Sequence, residues 1–165
     1  MKIRQKIHTV LALALFLLLT CALLAEQNQA GTSPEVAVIV NPSNQLEDIS
    51  TVDLRKIFSG EKQHWSTGLP IFPMVRAPEA HERSVLLNLI LRMSESEYKQ
   101  HWVKKVYSGE VQREPLALLS NGMQLEGVRA ERGGIALINL SDVRQGVKIL
   151  KVDGRQPGAS GYALR

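Results

Sequence analysis

Val36-Ala37-Val38-Ile39-Val40 is an unbroken apolar run, mostly β-branched, and Asn41-Pro42-Ser43-Asn44 ends it abruptly. A run this short and this apolar reads as a buried strand entering a turn. The chain therefore has to place that strand inside a core. The segments that follow alternate between strand and helix signals. Ser50-Thr51-Val52-Asp53 caps a short helix with Leu54, Ile57 and Phe58 on one side, and Ser59-Gly60 stops it. Ile71-Phe72-Pro73-Met74-Val75 reads as a second strand, with Pro73 removing one amide donor and pointing to an edge or an irregular end. Ala80 to Met93 reads as one long helix, because Val85, Leu86, Leu89, Ile90 and Met93 recur at helical spacing.

Ser94-Glu95-Ser96-Glu97 has the form of a capping box, opening a helix with Tyr98, Trp102, Val103 and Val106 on one side. Glu114-Pro115 begins another segment, Asn121-Gly122 interrupts it, and a further helix runs to about Arg132 before Gly133-Gly134. Ile135–Leu140 and Val147–Val152 read as third and fourth strands. Strands separated by helices imply an α/β domain with a mostly parallel sheet flanked by helices. The segment from Asp153, holding Gly154, Pro157, Gly158 and Gly161, reads as a loose tail. The expected organisation is a leader over 1–25, a linker over 26–34, an α/β domain over 35–153 and a flexible tail over 154–165.

The leader sets the compartment. Met1 to Lys6 is basic without an acid, Thr9 to Leu24 is almost wholly apolar, and Ala25 precedes the polar Glu26-Gln27-Asn28-Gln29. That apolar run falls short of the ~20 residues of a spanning helix and matches an export signal cleaved after Ala25. An uncleaved anchor is the alternative, and Cys21 after Leu18-Leu19-Thr20 faintly echoes a lipoprotein cleavage box. The expectation is a periplasmic protein, touching membrane only if Cys21 is lipidated or the signal is retained. Lys2, Arg4 and Lys6 supply three of the 20 Lys and Arg residues; the remaining 17 basic and 16 acidic residues leave the mature part near +1. The net +4 of the whole chain thus describes the leader and gives no support to nucleic-acid binding. The single cysteine lies in the leader, so the exported part has neither disulfide nor thiol chemistry.

Chemical motifs are sparse. There is no GxxxxGKS/T loop, and Gly133-Gly134 lacks the spacing of a dinucleotide turn. His81-Glu82 resembles the start of a zinc-binding helix, but Val85 stands where the second histidine belongs. Ser84 has no Gly-x-Ser-x-Gly context. No acid, base and nucleophile assemble, so the chain reads as a non-enzyme with no cofactor and no metal. Arg76 is the exception to this silence: it ends the second strand, and Ala77-Pro78-Glu79 then feeds a helix start at Ala80. Free amides at a helix start and a forked guanidinium suit a ligand with paired oxygens. The ligand-binding candidates are Arg76, Ala80, His81 and Glu82. The plain alternative is that Arg76 pairs on the surface with Glu79 or Glu82. The aromatic residues Phe58, Trp65, Phe72, Tyr98, Trp102 and Tyr107 read mainly as core, with Trp65 in a loop that flanks a cleft.

Taken in order, Val36 to Pro42, Leu54-Arg55-Lys56-Ile57-Phe58-Ser59-Gly60-Glu61, Trp65, Ile71 to Arg76 and Gly133 to Ile138 resemble the phosphate-binding component of bacterial ABC transporters. The resemblance covers roughly residues 36–152. It implies a single lobe of a type 2 periplasmic-binding-protein-like fold, resembling mainly the second of the family's two lobes. It also implies a small oxyanion such as phosphate as ligand, and an inner-membrane permease or sensor as partner. In that family an Asp-Gly-Ser-Gly-Thr loop follows the arginine and holds the anion. Here Pro78 stands for the aspartate, Ala80 for the serine and Glu82 for the threonine, so Arg76 carries over while the hydroxyls do not. The readings are an oxyanion-binding module, with the amides at Ala80 to Glu82 and the His81 ring as added donors, or a non-transport interaction module that has lost its ligand. For the leader, mass spectrometry of the protein recovered from the periplasm is expected to find Glu26 as the first residue; a protein beginning at Met1 contradicts the cleavage.

Overall fold

The computed structural model describes residues 34–165; the expected export signal and cleavage site, Cys21 and most of the expected linker lie outside the described residues. Strand β1 (Val36–Val40) is fully buried along its length. It sits inside a six-stranded sheet of order β2-β6-β1-β5-β3-β4, where β2 is Asp48–Ile49, β3 Phe72–Arg76, β4 Leu116–Leu118, β5 Gly134–Asn139 and β6 Lys148–Val152. β1 is antiparallel to β5 and to β6. The other three pairings, β2 with β6, β3 with β4 and β3 with β5, are parallel. Five strands therefore run one way, with β1 reversed among them.

The unbroken apolar run has a direct reason. Side chains alternate across a strand, and each set enters a different core. Val36, Val38 and Val40 pack with Leu54, Ile57 and Phe58 of helix α1 (Thr51–Phe58) and with Tyr98 and Trp102 of helix α3 (Glu95–Tyr107). Ala37 and Ile39 face the opposite side, with Leu125 and Val128 of helix α4 (Asn121–Ala130). Asn41, buried at the end of β1, ties the layers together. Its Nδ2 donates to the Val128 and Arg129 carbonyls, both at 3.0 Å, and so caps the end of α4, while its Oδ1 accepts from the Ser43 amide and hydroxyl.

Local signals explain most helix boundaries. Ser50 caps α1 by accepting from the Asp53 amide, and Ser94 with Glu97 forms the expected capping box on α3. Ser120 caps α4 from the Met123 amide. The expected helix over 80–93 differs. Its α-helical part, α2, spans only His81–Val85, and Leu86–Leu91 continues as a π-helical turn that ends at Arg92 in the left-handed conformation. A π turn takes more residues per rotation, so the buried face shifts: Leu87 and Leu91 are buried, while Leu89 is turned outward. Arg55 Nε on α1 donates to the Ile90 carbonyl at 2.7 Å and so supplies a partner near the end of that turn.

Two short strands, β2 and β4, escape the sequence signals. They are too brief to show a period, and β4 begins with the exposed Leu116 and Ala117. β4 also puts β3 inside the sheet, although only from Met74 onward. Pro73, the residue without an amide donor, precedes that pairing.

The C-terminal segment departs most from expectation. It folds back on β1 instead of hanging loose. Tyr162 and Leu164 are buried, the Val36 amide donates to the Leu164 carbonyl at 3.0 Å, and Tyr162 Oη donates to the Val36 carbonyl at 2.9 Å. The glycines that suggested looseness make the turns: Gly154, Gly158 and Gly161 all have positive φ. In urea denaturation Leu164→Ala should cost about 2–5 kcal/mol, as for a buried leucine. A cost under about 0.5 kcal/mol, the range of an ordinary surface change, would contradict the packed tail.

Candidate functional site

Because β3, β4 and β5 are parallel neighbours, their last residues lie along one edge of the sheet. Arg76 ends β3, Leu118 ends β4 and Asn139 ends β5. Arg76 Nη1 donates to the Leu118 carbonyl at 3.0 Å. After Arg76 the chain turns through Ala77 to Glu79 into α2. Glu79 holds φ at +72°, a left-handed value that costs a side-chain-bearing residue energy. The resemblance places glycine at that position, and the turn keeps a glycine-type backbone without the glycine.

The four predicted residues lie within one short stretch, 76–82, but they do not converge as a set. Ala80 is the N-cap of α2 and offers no side-chain cap. Its amide donates back to the Ala77 carbonyl at 3.4 Å. The His81 ring is also engaged elsewhere: its Nε2 donates to the Pro34 carbonyl at 2.8 Å.

Arg76 and Glu82 do meet. Glu82 Oε2 lies 3.6 Å from Arg76 Nε, and the side chains are 3% and 15% exposed. The other carboxylate oxygen, Oε1, accepts from the Asn139 amide at 3.3 Å. Glu82 thus lies across the ends of β3 and β5. The arginine is paired, as the plain alternative held, but with a buried Glu82 and while itself half-buried, instead of superficially. Glu79 is exposed and, among the described residues, forms no ion pair.

The neighbouring guanidinium is committed elsewhere. Arg83 forks onto Glu95 at 2.8 and 3.1 Å and lies 3.9 Å over the Tyr98 ring. The hydrogen bond from Arg83 holds the Glu95 carboxyl below its usual range, and burial pushes the Tyr98 hydroxyl up to about 12. Glu82 is therefore left to Arg76. At 3.6 Å their contact is a charge pair without a hydrogen bond, and among the described residues Arg76 Nε is a buried donor with no acceptor. Asn139 Oδ1 is likewise buried and has no partner among the described residues. On the adjoining start of α4, Asn121 Nδ2 donates to Asp142 Oδ2 at 2.7 Å.

Asn139 and the Leu118 carbonyl were not foreseen. A polar residue closing the apolar run of Ile135 to Ile138 was the available signal for Asn139. A backbone carbonyl on a three-residue strand leaves no trace in sequence. Trp65 is buried, with its indole N–H donating to the Gly133 carbonyl at 3.2 Å. It borders a cleft of about 610 Å³ with Leu46 and Arg132. A second cleft, of about 520 Å³, lies at the start of β3 among Lys62, Phe72 and Arg113. Neither is lined by Arg76 or Glu82. Among the described residues no three His, Cys, Asp or Glu side chains converge to hold a metal, and no helix is long and apolar enough to cross a membrane.

Several solved structures share this architecture. PstS from Borrelia burgdorferi matches with a TM-score of 0.62 at 19% identity, over 79% of this chain and 54% of its own. A candidate phosphate ABC transporter substrate-binding protein from Clostridium perfringens, solved with bound phosphate, matches at 0.61 and 19%, over 74% and 46%. An ABC-type phosphate transport receptor from Vibrio cholerae matches at 0.60 and 16%, over 75% and 48%. The chain has the fold of phosphate-binding proteins of ABC transporters. It spans about half the length of those it matches. No family model and no curated protein matches it.

The lobe thus keeps an arginine at the strand end but sets a buried carboxylate against it. Removing one partner of such a pair leaves the other charge buried and alone. Arg76→Ala is expected to lower unfolding stability by about 3 kcal/mol. Adding Glu82→Ala to it should restore part of the loss; a single-variant cost near zero would show that the two groups are not coupled.

Proposed function

We propose that this chain is a periplasmic solute-binding module of single-lobe form, taking phosphate or another small oxyanion at Arg76 and working beside an inner-membrane permease. The observation that carries this reading is the unspent, buried Nε–H of Arg76 at the end of a parallel strand, beside a helix start with no side-chain cap. A guanidinium there suits paired oxygens. The fold shared with phosphate-binding proteins supports the reading, and binding would need no cofactor and no catalytic group. The His81 ring would have to leave the Pro34 carbonyl before it could add a donor.

A second reading has its own observation. Buried Glu82 neutralises Arg76 and repels an anion. That favours a module of the same fold that has given up its ligand and presents a surface to an envelope sensor or receptor.

Thermal unfolding in phosphate and in sulfate separates the two. On the first reading the melting temperature rises, with stabilisation approaching about 2.7 kcal/mol at roughly a hundredfold excess over the dissociation constant, and Arg76→Ala abolishes the rise. Melting unchanged by either anion at high concentration overturns it and leaves the second.

A further inference from the structure

A carboxylate as deeply buried as Glu82 persists only where partners replace the water it has lost. Its partners are few and loosely held: Arg76 Nε at 3.6 Å and the Asn139 amide at 3.3 Å. Arg83, the next residue, is taken by Glu95. Arg76 in turn spends Nη1 on the Leu118 carbonyl and leaves Nε without a hydrogen bond. The pair is therefore close enough to cancel charge and too long to use up the guanidinium's donors. A carboxylate also presents two oxygens to a guanidinium, as a tetrahedral oxyanion does.

We propose that Glu82 is a built-in competitor: its carboxylate holds Arg76 while no solute is bound, and an incoming oxyanion has to displace it. This rests on the oxyanion reading of Arg76 given above. Two negative groups cannot share one guanidinium at short range without repulsion. Binding therefore requires the Glu82 side chain to swing off Arg76, which takes its Oε1 away from the Asn139 amide as well. The wild-type site then fills only at high solute concentration. Glu82 sets that threshold, so a change at this one residue tunes affinity without touching the arginine. Glu82→Gln keeps the length and planarity of the side chain while removing its charge.

Calorimetric titration of inorganic phosphate, and separately of sulfate, into the wild-type protein, Glu82→Gln, Arg76→Ala and the double variant tests the proposal. Glu82→Gln should bind roughly tenfold or more tightly than wild type, since like charges at close range cost at least the ~1.4 kcal/mol that a tenfold change represents. Both variants lacking Arg76 should not bind. If Glu82→Gln binds no better than wild type while Arg76→Ala abolishes wild-type binding, the competitor role is wrong and the oxyanion reading stands. If neither wild type nor Glu82→Gln binds either anion, or if Arg76→Ala binds like wild type, the oxyanion reading itself fails and the competitor falls with it. Should Glu82→Gln not fold, the wild-type protein still decides. Its Asn139 amide resonance should move as phosphate saturates it, and binding that leaves this resonance in place overturns the proposal.

Discussion

The fold depends on β1 being buried from both sides. All five of its residues are inaccessible, and their side chains feed two separate cores. At roughly 25 cal/mol per Å² of apolar surface removed from water, such a strand is worth placing only where layers cover both its faces. Helices α1 to α3 supply one layer and α4 the other. The antiparallel placement of β1 between β5 and β6 leaves the remaining strands parallel. That arrangement brings the ends of β3, β4 and β5 to a common edge. The site is thus a consequence of where β1 lies, although β1 contributes no side chain to it.

At that edge the electrostatics are nearly self-contained. A guanidinium in a largely buried position attracts whatever anion is nearest, and the chain places one of its own there. The Arg76–Glu82 pair is neutral overall, so the strand end carries little of the field that an exposed arginine would show. The unspent Nε–H of Arg76 and the long contact keep the pair from being a closed structural bridge. Neither of the two clefts described above is lined by it.

Much of this was legible in the sequence. The apolar run, the caps at Ser50 and Ser94 and the Gly133-Gly134 stop are local signals, and the structure follows them. Asn41 appeared as a strand terminator, and its buried bonds to α4 show what it does there. What escaped depended on tertiary context. The π turn at Leu86–Leu91 shifts a face that simple helical spacing assigns otherwise, and strands of two or three residues carry no period. The tail looked loose because turn-forming residues dominate it, while its buried side-chain anchors include Tyr162 and Leu164. At the site, sequence placed Arg76 at a strand end and kept open its pairing with Glu82. The burial of that pair, and the partner at Asn139, follow from strands far apart in the chain.

The most direct measurement is a crystal structure of Glu82→Gln grown in phosphate. The account predicts an anion within hydrogen-bond distance of Arg76 Nε, with residue 82 turned away from the guanidinium. A structure in which Arg76 keeps its native neighbours and no anion approaches it, at saturating phosphate, would contradict the claim that this strand end is a solute site held by its own carboxylate.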